Sequence, residues 1–245
     1  MTSVSRETFT PDHFFDLSKV WFASIFSDVT FPWELLEKDR KEGWIRKNYH
    51  PNVERIEREG GFVKKRAEIK VGNGVAVVEA GSYVVGNEIE FREGVVVEAG
   101  AFITGPTILG EGTSVRHGAY IRGGLLTGKN AIIGHASEVK SSIFLDGAKA
   151  PHFAYVGDSI LGNEVNLGAG TKVSNLKIIN DEIVLRLPNQ QIRTALRKFG
   201  AIIGDHTETG CNSVLNPGVL LGKSCLVYPA IAVRKNYYAE RSLIR

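Results

Sequence analysis

The chain has little of several features that mark particular protein classes. Only two of its 245 residues are cysteine, Cys211 and Cys225, and their spacing fits no metal-ligand pattern. We expect both to be small core or corner residues in a reducing cytoplasm. No apolar run is long enough to span a membrane, and no apolar leader follows the N-terminus, so neither a membrane span nor a signal peptide is predicted.

An excess of charge of one sign is also missing. The formal net charge is only +3, which is too mild to indicate nucleic acid as a partner. The tightest basic group, at residues 64–66, is interpreted as a solvated edge where the repeat begins. With 43% hydrophobic residues, the composition is that of an ordinary soluble domain.

A six-residue repeat dominates what is present. Counting in sixes from Val85 to Leu145, ten of eleven positions are apolar, and a second such run extends from Ile203 to Val233. Helix and strand periods do not explain this spacing, whereas a hexapeptide solenoid does. In such a solenoid three six-residue faces close a triangular coil of about eighteen residues, with the aliphatic residue inside and small residues at the corners. The first run contains Val85, Phe91, Val97, Ile103, Leu109, Val115, Ile121, Thr127, Ile133, Val139 and Leu145.

Residues 1–60 lack this period. Helix starts are predicted near Pro11 and Pro32, followed by apolar and aromatic residues at helical spacing. We therefore divide the chain into an N-terminal helical cap at 1–60, covering the open end of the solenoid, and a β-helix domain at 61–245. A partner-binding face is the alternative role for the helices.

Two further departures interrupt the coils. The register slips by a few residues at Pro151–Tyr155, and such breaks tend to lie at functional places. Residues 178–200 leave the repeat as an extruded loop, with a strand at 182–187, a turn at 188–189 and a basic helix or loop at 191–199. An excursion of this kind is typically a binding or oligomer-contact loop.

The departure at 151 also carries chemistry. The stretch 151–158 reads PHFAYVGD, and 163–171 reads NEVNLGAGT. This signature resembles the acetyltransferase half of the bifunctional enzymes that make UDP-N-acetylglucosamine, and more closely their archaeal-type sugar-1-phosphate nucleotidyltransferase/acetyltransferase relatives. The resemblance covers about residues 85–236. It implies an all-β solenoid that is a left-handed parallel β-helix, and a homotrimer with sites between adjacent prisms.

The resemblance also implies site residues. His152 matches the general base that deprotonates the sugar amine, which suits a side chain with a pKa near 6.5. Arg122 and Lys140 match the cations that hold the sugar phosphate, and Tyr155 and Asn166 match residues that hydrogen-bond the sugar. The acetyl-CoA side is matched by Ala169, Asn175 and Leu176. Independently of the resemblance, Arg122 and Lys140 are one eighteen-residue coil apart, so we expect them to stack on one face.

Some family features differ. The family usually carries an N-terminal nucleotidyltransferase domain with a Gly-rich phosphate loop, and residues 1–60 contain no such loop, so uridylyl transfer is not expected here. Whether a separate nucleotidyltransferase is a partner is left open. Ser141 follows Lys140 where a second basic residue is usual, and Leu176 stands where an aromatic is usual. These differences leave the sugar and the acyl-donor contacts open.

Three functional hypotheses follow. The first is an acetyl-CoA-dependent N-acetyltransferase acting on an amino-sugar phosphate such as glucosamine-1-phosphate. The second is a non-catalytic relative that binds a sugar nucleotide or a partner protein. The third is a sugar O-acetyltransferase. A zinc site using His117 and His135, also eighteen residues apart, is disfavoured because no close histidine pair accompanies them, and no metal is predicted.

Overall fold

The computed structural model describes residues 9–179, 181–187 and 190–245. Most of them form short strands that wind repeatedly through three sheets, which are the walls of a prism. Beyond the first hairpins, strands within each wall are parallel. The predicted parallel β-helix is therefore confirmed.

The walls are named A, B and C, and the chain passes from B to A to C in each coil. Sheet A contains β1 (Arg58–Glu59), β2 (Phe62–Val63), β5 (Tyr83–Val85), β8 (Phe102–Thr104), β11 (Tyr120–Arg122), β14 (Glu138–Lys140), β17 (Tyr155–Gly157), β20 (Lys172–Val173), β25 (Val214–Leu215) and β28 (Ala232–Val233). Sheet B contains β3 (Ala67–Val71), β4 (Gly74–Val78), β7 (Val96–Val97), β10 (Ser114–Val115), β13 (Ile132–His135), β16 (Lys149–His152), β19 (Asn166–Leu167), β24 (Glu208–Thr209), β27 (Leu226–Val227) and β30 (Leu243–Ile244). Sheet C contains β6 (Ile89–Phe91), β9 (Thr107–Leu109), β12 (Leu125–Thr127), β15 (Ile143–Phe144), β18 (Ile160–Leu161), β23 (Ala201–Ile203), β26 (Val219–Leu221) and β29 (Tyr237–Tyr238).

The inner core consists of one aliphatic side chain from most faces. Val97, Ile103, Val115, Ile121 and Ile133 are all fully buried inside the prism, as the six-residue count predicts. Each such burial is worth about 1.5–3 kcal/mol. The repeat is therefore held by many similar contributions along the axis.

The register slip lies elsewhere than predicted. Strand pairing joins Leu126 to Ile143 and Ile143 to Ile160, a step of seventeen residues instead of eighteen. Each shortened coil loses one residue at the corner between sheets A and C, where Ser141 and Asp158 have φ of 47° and 46°. The prediction of a slip at Pro151–Tyr155 was wrong for a specific reason: Phe144 points into the prism and Leu145 outward, and both are apolar. Val85 is likewise only half-buried, since Val84 occupies the inner position.

The N-terminal segment is less helical than predicted. Among the described residues, α1 (Pro11–Phe14) is a single turn and α2 (Lys38–Asn48) is the longer helix. Helix α1 does start at Pro11, but it ends after Phe14, so the apolar residues that follow at helical spacing do not extend it. Three 3₁₀ turns complete the segment, at Ala23–Phe26, Pro32–Leu36 and Val53–Arg55.

The position of this segment also differs from the expectation. Its aromatic side chains pack along the outer face of sheet C, against residues such as Ile108, Leu126 and Ile202, instead of over the end of the prism. The physical reason is that these outward-facing residues of sheet C are apolar, so packing the N-terminal segment against them removes apolar surface from water. The first coil is instead preceded by two antiparallel hairpins, β1–β2 and β3–β4. A domain boundary near residue 60 stays a prediction.

The excursion at 178–200 contains an antiparallel hairpin of β21 (Val184–Leu187) and β22 (Gln190–Arg193). The predicted strand is present, while the predicted basic helix or loop is a strand as far as Arg193. The predicted turn at 188–189 lies outside the described residues. Leu185 and Phe199 join the outer cluster on sheet C, where the Phe199 ring lies 6.2 Å from that of Trp33. The excursion therefore completes the layer that the N-terminal segment begins.

Candidate functional site

Sheet A carries the stacked cations predicted from the eighteen-residue spacing. Tyr120 pairs with Glu138 and Ile121 with Val139, so Arg122 and Lys140 end adjacent strands of the same wall. Each of the two cations already has a carboxylate partner. Arg122 donates to Glu138 at 2.7 Å on the open surface, and Lys140 donates to Asp158 at 2.8 Å in a more buried position.

The Lys140–Asp158 pair is the centre of a polar cluster at the corner between sheets A and C. Asn175 also donates to the same Asp158 oxygen, and the Tyr155 hydroxyl donates to Asn175 at 3.3 Å. Burial, with added effects of Asp158 and Glu138, raises the pKa of Tyr155. The phenol therefore stays a neutral hydrogen-bond donor and acceptor at physiological pH.

His152 lies at the other edge of sheet A, at the corner between sheets B and A. It ends β16, in register with His135 on the preceding coil, and its side chain is exposed. Among the described residues no hydrogen bond holds its ring nitrogens. By contrast, His117 and His135 each have Nδ1 bonded to a backbone carbonyl, of Ala99 and His117 respectively, at 2.7 and 2.9 Å.

This contrast separates the three histidines by role. A carbonyl can only accept, so Nδ1 of His117 and of His135 carries the proton, and the two rings stack 5.7 Å apart as a structural ladder. His152 alone of these three leaves both ring nitrogens available to a ligand. No group of three or more metal-ligating side chains is found in the described parts of the chain.

The remaining predicted residues lie at several different places in the coils. Ala169 lies at the B–A corner on the coil after His152, while Asn166 lies further back on sheet B, paired with Lys149 and Glu208. Asn175, expected on the acetyl-CoA side, is bonded within the same cluster as the predicted phosphate ligands. Leu176 leaves the coil, bridges to Lys198 and is exposed.

Two residues in the cluster were not assigned a role from the sequence. Asp158 is the last residue of the PHFAYVGD stretch, so the motif contained a signal for it. Lys41 of α2 lies near Asp158 and Lys140 and is completely buried. Lys41 lies in a run of charged residues that matches no motif, so its burial near the cluster is seen only in the folded structure, where α2 packs against the coils.

The part of the coils that contains the candidate site residues is similar to known protein families. A family model described as the GMPPB C-terminal domain matches residues 103–188, which include every candidate residue from Arg122 to Leu176. Among solved structures, a hexapeptide transferase family protein from Anaplasma phagocytophilum covers 62% of this chain and 70% of that chain at 14% identity. Its TM-score of 0.22 is too low to argue from.

Particular relatives confirm the resemblance inferred from the motifs. The bifunctional sugar-1-phosphate nucleotidylyltransferase/acetyltransferase of Sulfurisphaera tokodaii is 40% identical over 99 residues, which is 40% of this chain and 25% of that protein. The bifunctional protein GlmU of Methanococcus vannielii is 37% identical over 113 residues, 44% of this chain and 27% of that protein. The matches thus cover about a quarter of the length of these relatives. Within the described residues no helix has the length and apolarity that a membrane crossing requires.

Proposed function

We propose that the chain is an acetyl-CoA-dependent N-acetyltransferase acting on an amino-sugar phosphate of the glucosamine-1-phosphate kind. The observation that carries this proposal is the arrangement on sheet A. His152, whose ring nitrogens make no hydrogen bond with the described residues, lies at one edge of this wall, and the stacked cations Arg122 and Lys140 lie at the other. The relatedness to proteins whose names include acetyltransferase supports the class of reaction.

In the proposed reaction His152 takes a proton from the sugar amine as its nitrogen attacks the thioester carbonyl of acetyl-CoA. The new C–N bond forms, the C–S bond breaks, and the His152 imidazolium returns its proton to the leaving thiolate, so coenzyme A departs as the thiol and His152 is neutral again. An imidazole can both accept and return a proton near neutral pH, which suits this step. Holding the amine and thioester together supplies much of the remaining acceleration.

The phosphate would be held by Arg122 and Lys140. A guanidinium offers a fork of donors and an ammonium a point charge, and both suit a phosphate dianion. Glu138 occupies only part of the Arg122 fork, and the Arg122 side chain is 44% exposed, so a phosphate can add to it. Lys140 is only 15% exposed, so a phosphate must share or replace its bond to Asp158.

A homotrimer with sites between prisms is part of the proposal. A partly exposed aromatic ladder on the early strands of sheet A offers a surface for a second copy, with neighbouring rings 5.2–5.4 Å apart. The ladder contains Phe62, Tyr83, Phe102 and Tyr120. A cytoplasmic location and a separate nucleotidyltransferase as a metabolic partner also stay predictions.

The deciding experiment is release of free thiol from acetyl-CoA in the presence of glucosamine-1-phosphate, galactosamine-1-phosphate, an uncharged sugar without an amine, or no acceptor. We expect release only with an amino-sugar phosphate, and a loss of about 10²–10⁴-fold in His152→Ala. His117→Ala is the matched control, since it removes an exposed histidine of the ladder, and it should keep full activity.

Other outcomes assign other functions. Release with the amine-free sugar would indicate an O-acetyltransferase. No release with any acceptor, from folded trimeric protein, would contradict the proposal and favour a binding protein without turnover. Retained activity in His152→Ala would remove His152 as the base.

A further inference from the structure

Lys41 is the most anomalous side chain of the described residues. It is fully buried under α2, and its Nζ is the one buried side-chain nitrogen or oxygen in the described parts of the chain without a hydrogen-bond partner. Burying an ammonium group without a partner is strongly unfavourable. A feature this unfavourable needs an account, which packing alone does not supply.

The surroundings of Lys41 connect it with the candidate phosphate site. Helix α2 crosses the A–C corner, as the surroundings of Gly124 at this corner show. A Cβ added to Gly124 would lie 3.1 Å from the Ser141 hydroxyl of the next coil and 3.4 Å from the Glu42 carboxylate of α2. The charged groups that act on Lys41 are Asp158, Glu42 and Lys140. Of these, Glu42 already has an ion pair with Arg46 on its own helix, at 3.2 Å.

Protonation of Lys41 is sensitive to these charges. Burial lowers the pKa of Lys41 to about 7, with Lys140 acting in the same direction and the two carboxylates opposing it. Near neutral pH the amine is therefore poised between its neutral and charged forms. Any event that strengthens the field of Asp158 on Lys41 will add a proton to it.

Phosphate binding at Lys140 is such an event. Asp158 is only 7% exposed and now shares its charge with Lys140. A dianion that takes the Lys140 ammonium leaves Asp158 with the Asn175 amide as its remaining partner in the cluster. A buried carboxylate deprived of its counter-charge is strongly destabilising, which would weaken phosphate binding unless another cation compensates.

We propose that Lys41 is a positioning residue of the phosphate site, which takes over the Asp158 carboxylate when a phosphate dianion takes the ammonium group of Lys140. The inference rests on the proposed function, because it assumes that Lys140 receives the phosphate. Lys41 acts through Asp158 and does not contact the ligand, in keeping with its burial. A proton from solvent is taken up on Lys41 Nζ, so anion binding is linked to proton uptake.

The test uses sulfate as the probe, because sulfate remains a dianion across neutral pH while phosphate itself titrates there. Sulfate binding to the full chain is measured by calorimetry near pH 7.5 in two buffers of different ionisation heat, and again at lower and higher pH. In the wild type we expect net proton uptake, and affinity that falls as the pH rises above about 7. Lys41→Met should bind about tenfold more weakly, without uptake or pH dependence.

Matched variants separate this role from a structural one. Lys38→Met removes an exposed lysine of the same helix and should behave as the wild type. Lys41→Arg carries a charge that is not lost near neutral pH, so it should restore sulfate affinity while abolishing proton uptake. A merely structural role for Lys41 would not produce this separation of affinity from uptake.

Failure of this inference can be told from failure of the proposed function. Sulfate affinity unchanged in Lys140→Met would overturn the phosphate role of Lys140, and the inference with it. Affinity lost in Lys140→Met but unchanged in Lys41→Met would overturn the inference alone. If Lys41→Met does not fold, proton uptake on sulfate binding is compared between the wild type and His152→Ala. Uptake that is present in both proteins supports the proposal. No uptake in the wild type, or uptake that is lost in His152→Ala, overturns it.

Discussion

The outer faces of sheets C and A show how two similar walls of one repeat acquire different roles. Sheet C presents apolar residues such as Ile108 and Leu126, and these are covered by the N-terminal segment and the excursion hairpin. Sheet A presents Arg122, Lys140 and Tyr155, and most of this wall stays open. Inside the prism both walls contribute the same kind of aliphatic residue. The repeat therefore determines the scaffold, while the outward residues determine which wall is covered and which is available to ligands.

The two walls meet at one place, the A–C corner. There α2, which belongs to the covering layer, contributes Lys41 to the charged cluster of the open wall. The shortened corners at Ser141 and Asp158 are at this same position. The covering layer therefore also shapes the candidate site.

The largest stability effect is expected on the covered wall. Trp33 is buried among aromatic rings, with Phe31 stacked at 4.6 Å. Trp33→Ala should lower the free energy of unfolding by about 3–5 kcal/mol, as measured by denaturant titration. Arg122→Ala, on the open wall, is the control and should cost less than about 1 kcal/mol, because its ion pair with Glu138 is exposed. Equal losses in the two variants would contradict the distinction between the walls.

A somewhat smaller effect is expected at the corner that joins the walls. Asp158→Asn removes the counter-charge of Lys140 in a nearly buried position and should cost on the order of 3 kcal/mol. Glu138→Gln breaks the exposed pair with Arg122 and should change stability by less than about 1 kcal/mol. Thermal and denaturant unfolding check both values, and a larger loss in Glu138→Gln would reverse the assignment of the buried pair.

The stability of the protein should also depend on pH through Lys41. The pKa of Lys41 is about 7 in the folded protein, against about 10.4 in an unfolded chain. Between these values the unfolded chain binds the extra proton, so stability rises with pH through this window, and the penalty is complete below it. The wild type should therefore gain stability relative to Lys41→Met from about pH 7 to 10. Parallel pH profiles for the two proteins would show that Lys41 is not the group involved.

The smallest stability effect is expected at His152. Its exposed ring makes no hydrogen bond with the described residues, so His152→Ala should unfold within about 0.5 kcal/mol of the wild type. The same change should abolish most of the proposed activity. A large loss of stability would indicate that His152 has a structural role comparable with that of the buried cluster.

How far the sequence alone predicts this structure depends on the range of the interactions. The six-residue period predicted the prism and most of its inner residues, because every face repeats the same local geometry. The period assigned the inner position to Leu145 incorrectly, because Phe144 and Leu145 are both apolar and pack on opposite sides of the same wall, Phe144 inside the prism and Leu145 outside it. The stacking of Arg122 over Lys140 was predictable from the coil length alone.

Features that depend on distant segments were not predictable in this way. Helix propensity suggested a long first helix, but contacts with sheet C dominate and α1 ends after one turn. The motif identified Tyr155 as a candidate site residue, but it did not predict the hydrogen bond to Asn175, which forms between different coils. Lys41 shows this most clearly, since it is 117 residues from Asp158 in sequence and lies near it only because α2 crosses the corner.

Hydrogen–deuterium exchange with and without glucosamine-1-phosphate and coenzyme A shows whether the open wall is the ligand site. We expect new protection in peptides that cover residues 135–158 and 166–175, with none in residues 20–36 of the covering layer. Protection confined to residues 20–36, or no protection in residues 135–158 under saturating ligand, would show that the open wall does not bind these ligands.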